Sequence, residues 1–218
     1  MFTNRHQAGD ALAARVIDLD LSSPLVLALP RGGVPVALPV ARALDAPLDL
    51  LMVRKLGLPG HAELAAGAVV DGARTDVVFN TDVLRRAGLT EADFDKMIAD
   101  KLSQIEARRA MYLSGHAPLD AAGQDVIVVD DGIATGATVK AALKALRRRD
   151  PRQIILAVPV APQDGIDELQ SQVDGVVCIE TPHPFYAVGA HYRSFEQVSD
   201  EDVVQMLQDY WNEQERST

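Results

Sequence analysis

The sequence predicts an α/β protein built on an open, mostly parallel sheet flanked by helices, and three observations predict it. Short apolar runs rich in β-branched residues recur at 25–29, 48–53, 126–129, 154–160 and 175–180, each continuous enough for a strand buried on both faces. Stretches of helical periodicity separate most of them, the alternation that builds parallel sheets. Hydrophobic residues make up 48% of the 218, enough to bury a core without disulfide or metal staples. A single domain over residues 1–218 is therefore expected.

The elements follow in order. Leu12, Val16 and Leu19 share one face of a helix over about 7–19. The first strand, 25–29, stops abruptly at Pro30-Arg31-Gly32-Gly33. A helix to about Leu44 follows, with Pro35 tolerated in its first turn and Pro39 expected to kink it. Residues 48–53 close a βαβ unit. Residues 54–63, with two glycines, a proline and several charges, read as a mobile loop. Residues 65–70 and 75–80 flank Asp71-Gly72-Ala73-Arg74 as an antiparallel hairpin. Thr90 with Asp93 three residues on forms a capping box, opening a long helix through Phe94, Met97, Ile98, Leu102 and Ile105. This hairpin and helical insertion, about 65–115, interrupts the sheet. It resumes at 126–129, followed by a helix over about 137–149, two further strands with a helix between, and an irregular aromatic stretch after Thr181. The last helix is capped by Ser199 and packed through Val203, Leu207, Tyr210 and Trp211.

Composition excludes several function classes. The formal charge is −10, with 31 acidic against 21 basic residues, so the surface repels phosphate backbones and no nucleic-acid partner is expected. Arg108-Arg109 and Arg147-Arg148-Arg149 are expected to complement the negative ends of helix dipoles. Cys178 is the only cysteine and lies in an apolar run, where a buried thiol is the default. No apolar stretch approaches the length needed to cross a bilayer, and the first residues do not resemble a signal peptide. A cytoplasmic location without membrane partners is the expectation.

Ligands of open α/β sheets bind at the carboxyl ends of the strands, and three strand ends carry unusual residues. The most informative is Val126-Ile127-Val128-Val129-Asp130-Asp131-Gly132-Ile133-Ala134-Thr135-Gly136-Ala137-Thr138. Two adjacent carboxylates emerge at the tip of a buried strand, where leaving both unpaired is costly; they must meet cations, hydroxyls or water. Just beyond, Thr135 to Thr138 offers hydroxyls and backbone N–H groups at a helix N-terminus, a site for phosphate. A ribose 5-phosphate suits both halves. The bland alternative is a strand–turn–helix with a capping threonine. A Walker A loop is excluded, because no lysine follows a glycine at the required place, and no Gly-x-Gly-x-x-Gly fingerprint occurs. The second strand end, Pro30-Arg31-Gly32-Gly33, lets the backbone approach a ligand closely, although Arg-Gly-Gly alone is most often a turn. The third is Val53-Arg54-Lys55.

The 126–138 segment resembles the signature of the type I phosphoribosyltransferases: four apolar residues, two acids, three variable positions, then Thr-Gly-x-Thr. The resemblance extends over most of the chain to a subset of that family assigned only provisionally as phosphoribosyltransferases, including 56–68 and Pro182-His183-Pro184-Phe185-Tyr186-Ala187-Val188-Gly189. It implies transfer of the 5-phosphoribosyl group from phosphoribosyl pyrophosphate (PRPP) to a small nitrogenous, nucleobase-like acceptor, with release of pyrophosphate and a place in nucleotide metabolism. Asp130 and Asp131 would hold the ribose hydroxyls and outer-sphere Mg²⁺. Gly132 and Ala134, Thr135, Gly136, Ala137 and Thr138 would cradle the sugar and its 5′-phosphate. Arg31, Gly32 and Gly33, often with a cis non-proline peptide, would bind pyrophosphate together with Arg54 and Lys55. Catalysis would rest on Arg31, Lys55, Asp130 and Asp131, with 55–64 closing as a lid. Residues 181–198 would form a hood over the acceptor. There Phe185 and Tyr186 either stack on a flat ring or serve as packing residues. Ala134 stands where 6-oxopurine enzymes carry an aspartate, which disfavours hypoxanthine and guanine. The rival reading is a non-catalytic PRPP-sensing regulatory protein, and a homodimer is left open.

Overall fold

The computed structural model describes residues 1–72, 75–113 and 115–217, and of 62, 63 and 217 the backbone alone. Its elements are α1 (Arg5–Val16), β1 (Pro24–Ala28), α2 (Val34–Ala43), β2 (Leu48–Leu50), β3 (Val53–Leu58), β4 (His61–Val70), β5 (Asp76–Phe79), α3 (Thr81–Ala87), α4 (Asp95–Leu113), β6 (Asp125–Val129), α5 (Ala137–Arg147), β7 (Gln153–Val160), α6 (Gln163–Gln170), β8 (Gly175–Glu180) and α7 (Asp200–Ser217). Short 3₁₀ turns cover Glu91–Phe94 and Val188–His191.

Five strands form the parallel sheet in the order β2-β1-β6-β7-β8. Side chains alternate across it: Val26, Ala28, Ile127 and Val129 enter the core beneath α1, α2 and α7, while Leu25, Leu27, Val126 and Val128 enter the core beneath α5 and α6. Both faces are covered, which is why these strands carry unbroken apolar runs. The strand order places the tips of β1 and β6 side by side, since Ala28 pairs with Val129.

Helix α1 begins two residues before the expected start because Asn4 caps it, accepting from the Gln7 N–H at 2.9 Å. It packs closely on α2 at Gly9, where a Cβ would lie 2.6 Å from the Val36 carbonyl and 2.9 Å from the Pro39 ring. Helix α2 runs through Pro39, which sits in this contact. At the other end, Ser199 and Asp202 cap α7 reciprocally.

Residues 54–63 are not a loop. They belong to a three-stranded antiparallel sheet, β3-β4-β5, with the turn confined to Pro59 and Gly60. Leu56 and Leu58 are buried while Lys55 is exposed, a period-2 pattern that the glycines and proline obscured. The second hairpin pairs β4 with β5 as expected; Ala73 and Arg74 of its turn lie outside the described residues.

The arginine clusters also differ from expectation. Arg109 lies a turn inside α4 and bridges Asp49 (2.9 Å) and Asp71 (2.6 Å), and Arg149 reaches Asp76 (3.3 Å) and the Asp71 carbonyl (3.1 Å). These buried pairs tie the small sheet to the large one, a role that outweighs any interaction with a helix dipole. Cys178 is half-buried, and burial pushes its thiol up to about 11.

Asp125, fully buried at the start of β6, accepts from the N–H groups of Ser22 and Ser23 and from Arg152 and Gln153. Burial alone would raise its pKa, but these donors hold the carboxyl well below the usual range. Its contribution to stability is therefore present above the unfolded value near pH 4 and is lost as pH falls further. Asp125→Ala is expected to cost about 3 kcal/mol by stranding several donors, read as a lower denaturant midpoint at pH 7.

Candidate active site

Two strand tips meet at the site. The strand β6 delivers Asp130 and Asp131, and β1 delivers Pro30 to Gly33. A side chain at Gly33 would collide with backbone, and one at Gly32 would displace the Asp131 carboxyl. A Cβ on Gly33 would lie 2.6 Å from the Leu29 carbonyl and 2.7 Å from the Val129 carbonyl, and one on Gly32 would lie 2.6 Å from the Asp131 Cγ. The peptide between Pro30 and Arg31 is cis.

The acid pair is half-buried. Asp130 Oδ1 accepts from the Asp131 N–H at 2.8 Å, and Asp131 Oδ2 accepts from Arg5 Nε at 2.7 Å. Among the described residues, no other residue donates to Asp130 Oδ2 or Asp131 Oδ1. Burial, then the neighbouring Asp131 charge, pushes the Asp130 carboxyl well above the usual range. Burial also raises Asp131, with Arg5 pulling the other way. Two crowded carboxylates with open oxygens call for donors or a cation from outside the chain.

Beyond them, Gly136 adopts φ +67 to start α5, a left-handed conformation that glycine takes without cost. Ala134, Thr135, Ala137 and Thr138 are all exposed. The first turn of α5 leaves its N–H groups without intrahelical acceptors, which suits an anion. This loop opens into a cavity of about 940 Å³ lined also by the start of α6 and residues 181–185. Phe185 lines that cavity, half-buried, and stacks on His191 with ring centres 5.3 Å apart. Tyr186 is 84% exposed and does not line it.

Arg31, Arg54 and Arg108 lie near Asp200. Arg31 contacts Asp200 at 3.4 Å, and Tyr112 donates to the same carboxylate. The Tyr112 bond, with the charges of Arg108 and Arg31, holds Asp200 low. Arg54 donates to the Val53 carbonyl at 2.9 Å, and burial and Arg108 lower its pKa. Lys55 and Thr138 line one small cavity where β3 and β4 meet α5.

A family model for the phosphoribosyl transferase domain matches residues 2–194. The chain belongs to the phosphoribosyl transferase family. Proteins from two strains of Mycobacterium tuberculosis, named provisionally as phosphoribosyl transferases, are 44% identical to it over 208 residues, 95% of this chain and 46% of theirs. The chain thus spans about half the length of these curated relatives. The crystal structure of a Thermus thermophilus protein, TT1426, is 38% identical with a TM-score of 0.84, covering 96% of this chain and 98% of that one.

Of the residues singled out in the sequence, Arg31 to Gly33 and Asp130 to Asp131 follow the adjoining strands β1 and β6, whereas Arg54 and Lys55 open β3 of the small sheet instead of ending a strand of the large one, and Phe185 and Tyr186 follow β8. Sequence reasoning missed Arg5, Tyr192 and Asp200, which contact them from distant elements, and Tyr112, which donates to Asp200. Tyr192 donates to the Asp131 carbonyl at 2.6 Å. Nothing in the spacing of these four residues signals their approach.

Proposed function

We propose that this phosphoribosyl transferase displaces pyrophosphate from PRPP with a ring nitrogen of a small acceptor, in a Mg²⁺-dependent reaction. The observation that carries this reading is the juxtaposition, at adjoining strand tips, of two carboxylates with open oxygens, an exposed helix N-terminus and the Arg31-Gly32-Gly33 turn. Asp130 and Asp131 accept from the ribose hydroxyls. Gly132 and the segment from Ala134 to Thr138 hold the 5′-phosphate through N–H groups and the Thr135 and Thr138 hydroxyls. Arg31, Gly32, Gly33, Arg54 and Lys55 stabilise the departing pyrophosphate, where charge builds up as the bond breaks.

Among the described residues no group of three or more His, Cys, Asp or Glu side chains gathers to hold a metal alone. The open oxygens of Asp130 and Asp131 fit a Mg²⁺ held chiefly by substrate oxygens and water. When bound, that ion would neutralise charge on the pyrophosphate. The β3–β4 ribbon, not a loop, is the segment that would close and exclude water. Phe185 supplies a flat apolar face to the acceptor. The exposure of Tyr186 supports a role at the rim.

PRPP with Mg²⁺ is expected to stabilise the protein by about 2.7 kcal/mol at a hundred times its Kd, read as a raised melting temperature. An unchanged melting temperature at millimolar PRPP contradicts the reading.

A further inference from the structure

Arg5 stands in the first turn of α1, far in sequence from the acid pair, yet it is built into it. Its Nε donates to Asp131 Oδ2 at 2.7 Å, and its Nη1 donates to the Glu196 carbonyl at 2.7 Å. The guanidinium lies 3.8 Å from the centre of the Phe195 ring. Both members of the ion pair are largely buried, 12% and 15% exposed, so water screens it little. One planar, forked cation thus binds a site carboxylate and a segment of the hood together, a task suited to arginine.

The surrounding contacts make the same connection. Phe2 donates to the His191 carbonyl at 2.8 Å, and Arg193 and Ser194 donate to the Phe2 and Thr3 carbonyls at 2.9 and 3.0 Å. The Phe2 and Tyr192 rings pack at 5.5 Å, and Tyr192 in turn holds the Asp131 carbonyl. Asp131 is therefore fixed at its backbone by the hood, at one carboxylate oxygen by α1, and against Gly32 on a further side.

We propose that Arg5 is a positioning residue of the transferase site: by binding one oxygen of Asp131 it commits the other to the sugar hydroxyls and locks the hood to the ribose subsite. This rests on the ribose-binding role given above to the acid pair. Without Arg5, the Asp131 carboxylate has no partner to fix its torsion, and the Asp130 and Asp131 charges repel freely. Discrimination between sugars that do and do not carry the contacted hydroxyl should then fall.

The test compares binding of ribose 5-phosphate and 2-deoxyribose 5-phosphate by calorimetry to wild type, Arg5→Met and Arg5→Lys. Loss of positive charge weakens both phosphates alike, whereas loss of positioning removes only the difference between them. Wild type is expected to favour the ribose compound about tenfold, the scale of one charge-assisted hydrogen bond. Arg5→Met should abolish that preference and Arg5→Lys should restore part of it. Should Arg5→Met fail to give a cooperative melting transition, Arg5→Lys alone decides, through a reduced preference. An undiminished preference in the folded variants overturns the role of Arg5. A wild-type protein that binds both sugars equally overturns the ribose-binding reading itself.

Discussion

The double variant Asp130→Asn, Asp131→Asn is expected to show no stabilisation by PRPP and Mg²⁺ at any concentration that shifts the wild type. Both carboxylates offer an oxygen that the fold leaves unused, and an amide keeps the shape but loses the charge that makes such bonds strong. The single variant Asp130→Asn separates folding from function. Burial and the adjacent Asp131 charge raise the Asp130 carboxyl, so ionising it costs the folded state. That cost sets in as pH rises above the unfolded value near 4 and is complete above the folded value. Without ligand at pH 7, Asp130→Asn should therefore be the more stable protein, with a higher melting temperature, while its PRPP affinity falls. A variant that melts lower and still binds would contradict both halves of the argument.

Thr138→Val should weaken PRPP binding about ten- to a hundredfold whichever acceptor is present. It removes one hydroxyl donor to a phosphate dianion, worth roughly 1.5–3 kcal/mol for charged partners. Phe185→Ala should leave PRPP binding nearly intact and weaken the acceptor step, because Phe185 offers the cavity an apolar ring and no donor to a phosphate. Tyr186→Ala should do less than Phe185→Ala, in keeping with its exposure. Calorimetry with PRPP checks the binding of all three, and rates of pyrophosphate release at varied acceptor check the acceptor step. Equal loss of PRPP by Thr138→Val and Phe185→Ala would show that phosphate and acceptor subsites are not separate.

The parallel sheet was legible because a strand buried on both faces has to be apolar throughout, and residues 25–29 and 126–129 have no other use for that composition. The acid pair and the Thr-Gly-Ala-Thr turn stood out for a related reason: two adjacent acids at the tip of a buried strand need partners from beyond that strand. The ribbon at 53–70 was obscured. Its glycines and Pro59 signal a turn, and only the alternation of Lys55, Leu56, Gly57 and Leu58 revealed strand, over too few residues to outweigh them. Arg109, Arg149 and Asp125 were misjudged or missed because charge on a helix or at a strand start reads as solvated until partners arrive from elsewhere in the chain. Arg5 illustrates this most sharply. Its partners come from two places, Asp131 from the tip of β6 and Phe195 and Glu196 from the hood, long-range contacts that no local pattern encodes.

The most direct measurement is pyrophosphate release from PRPP and Mg²⁺ with a panel of purine, pyrimidine and other nitrogenous ring acceptors. The predicted result is release that depends on one acceptor class, vanishes on chelation of Mg²⁺ and is absent from the Asp130→Asn, Asp131→Asn variant. Tight PRPP binding with no pyrophosphate released by any acceptor would contradict it, and would make the protein a PRPP sensor built on a transferase fold.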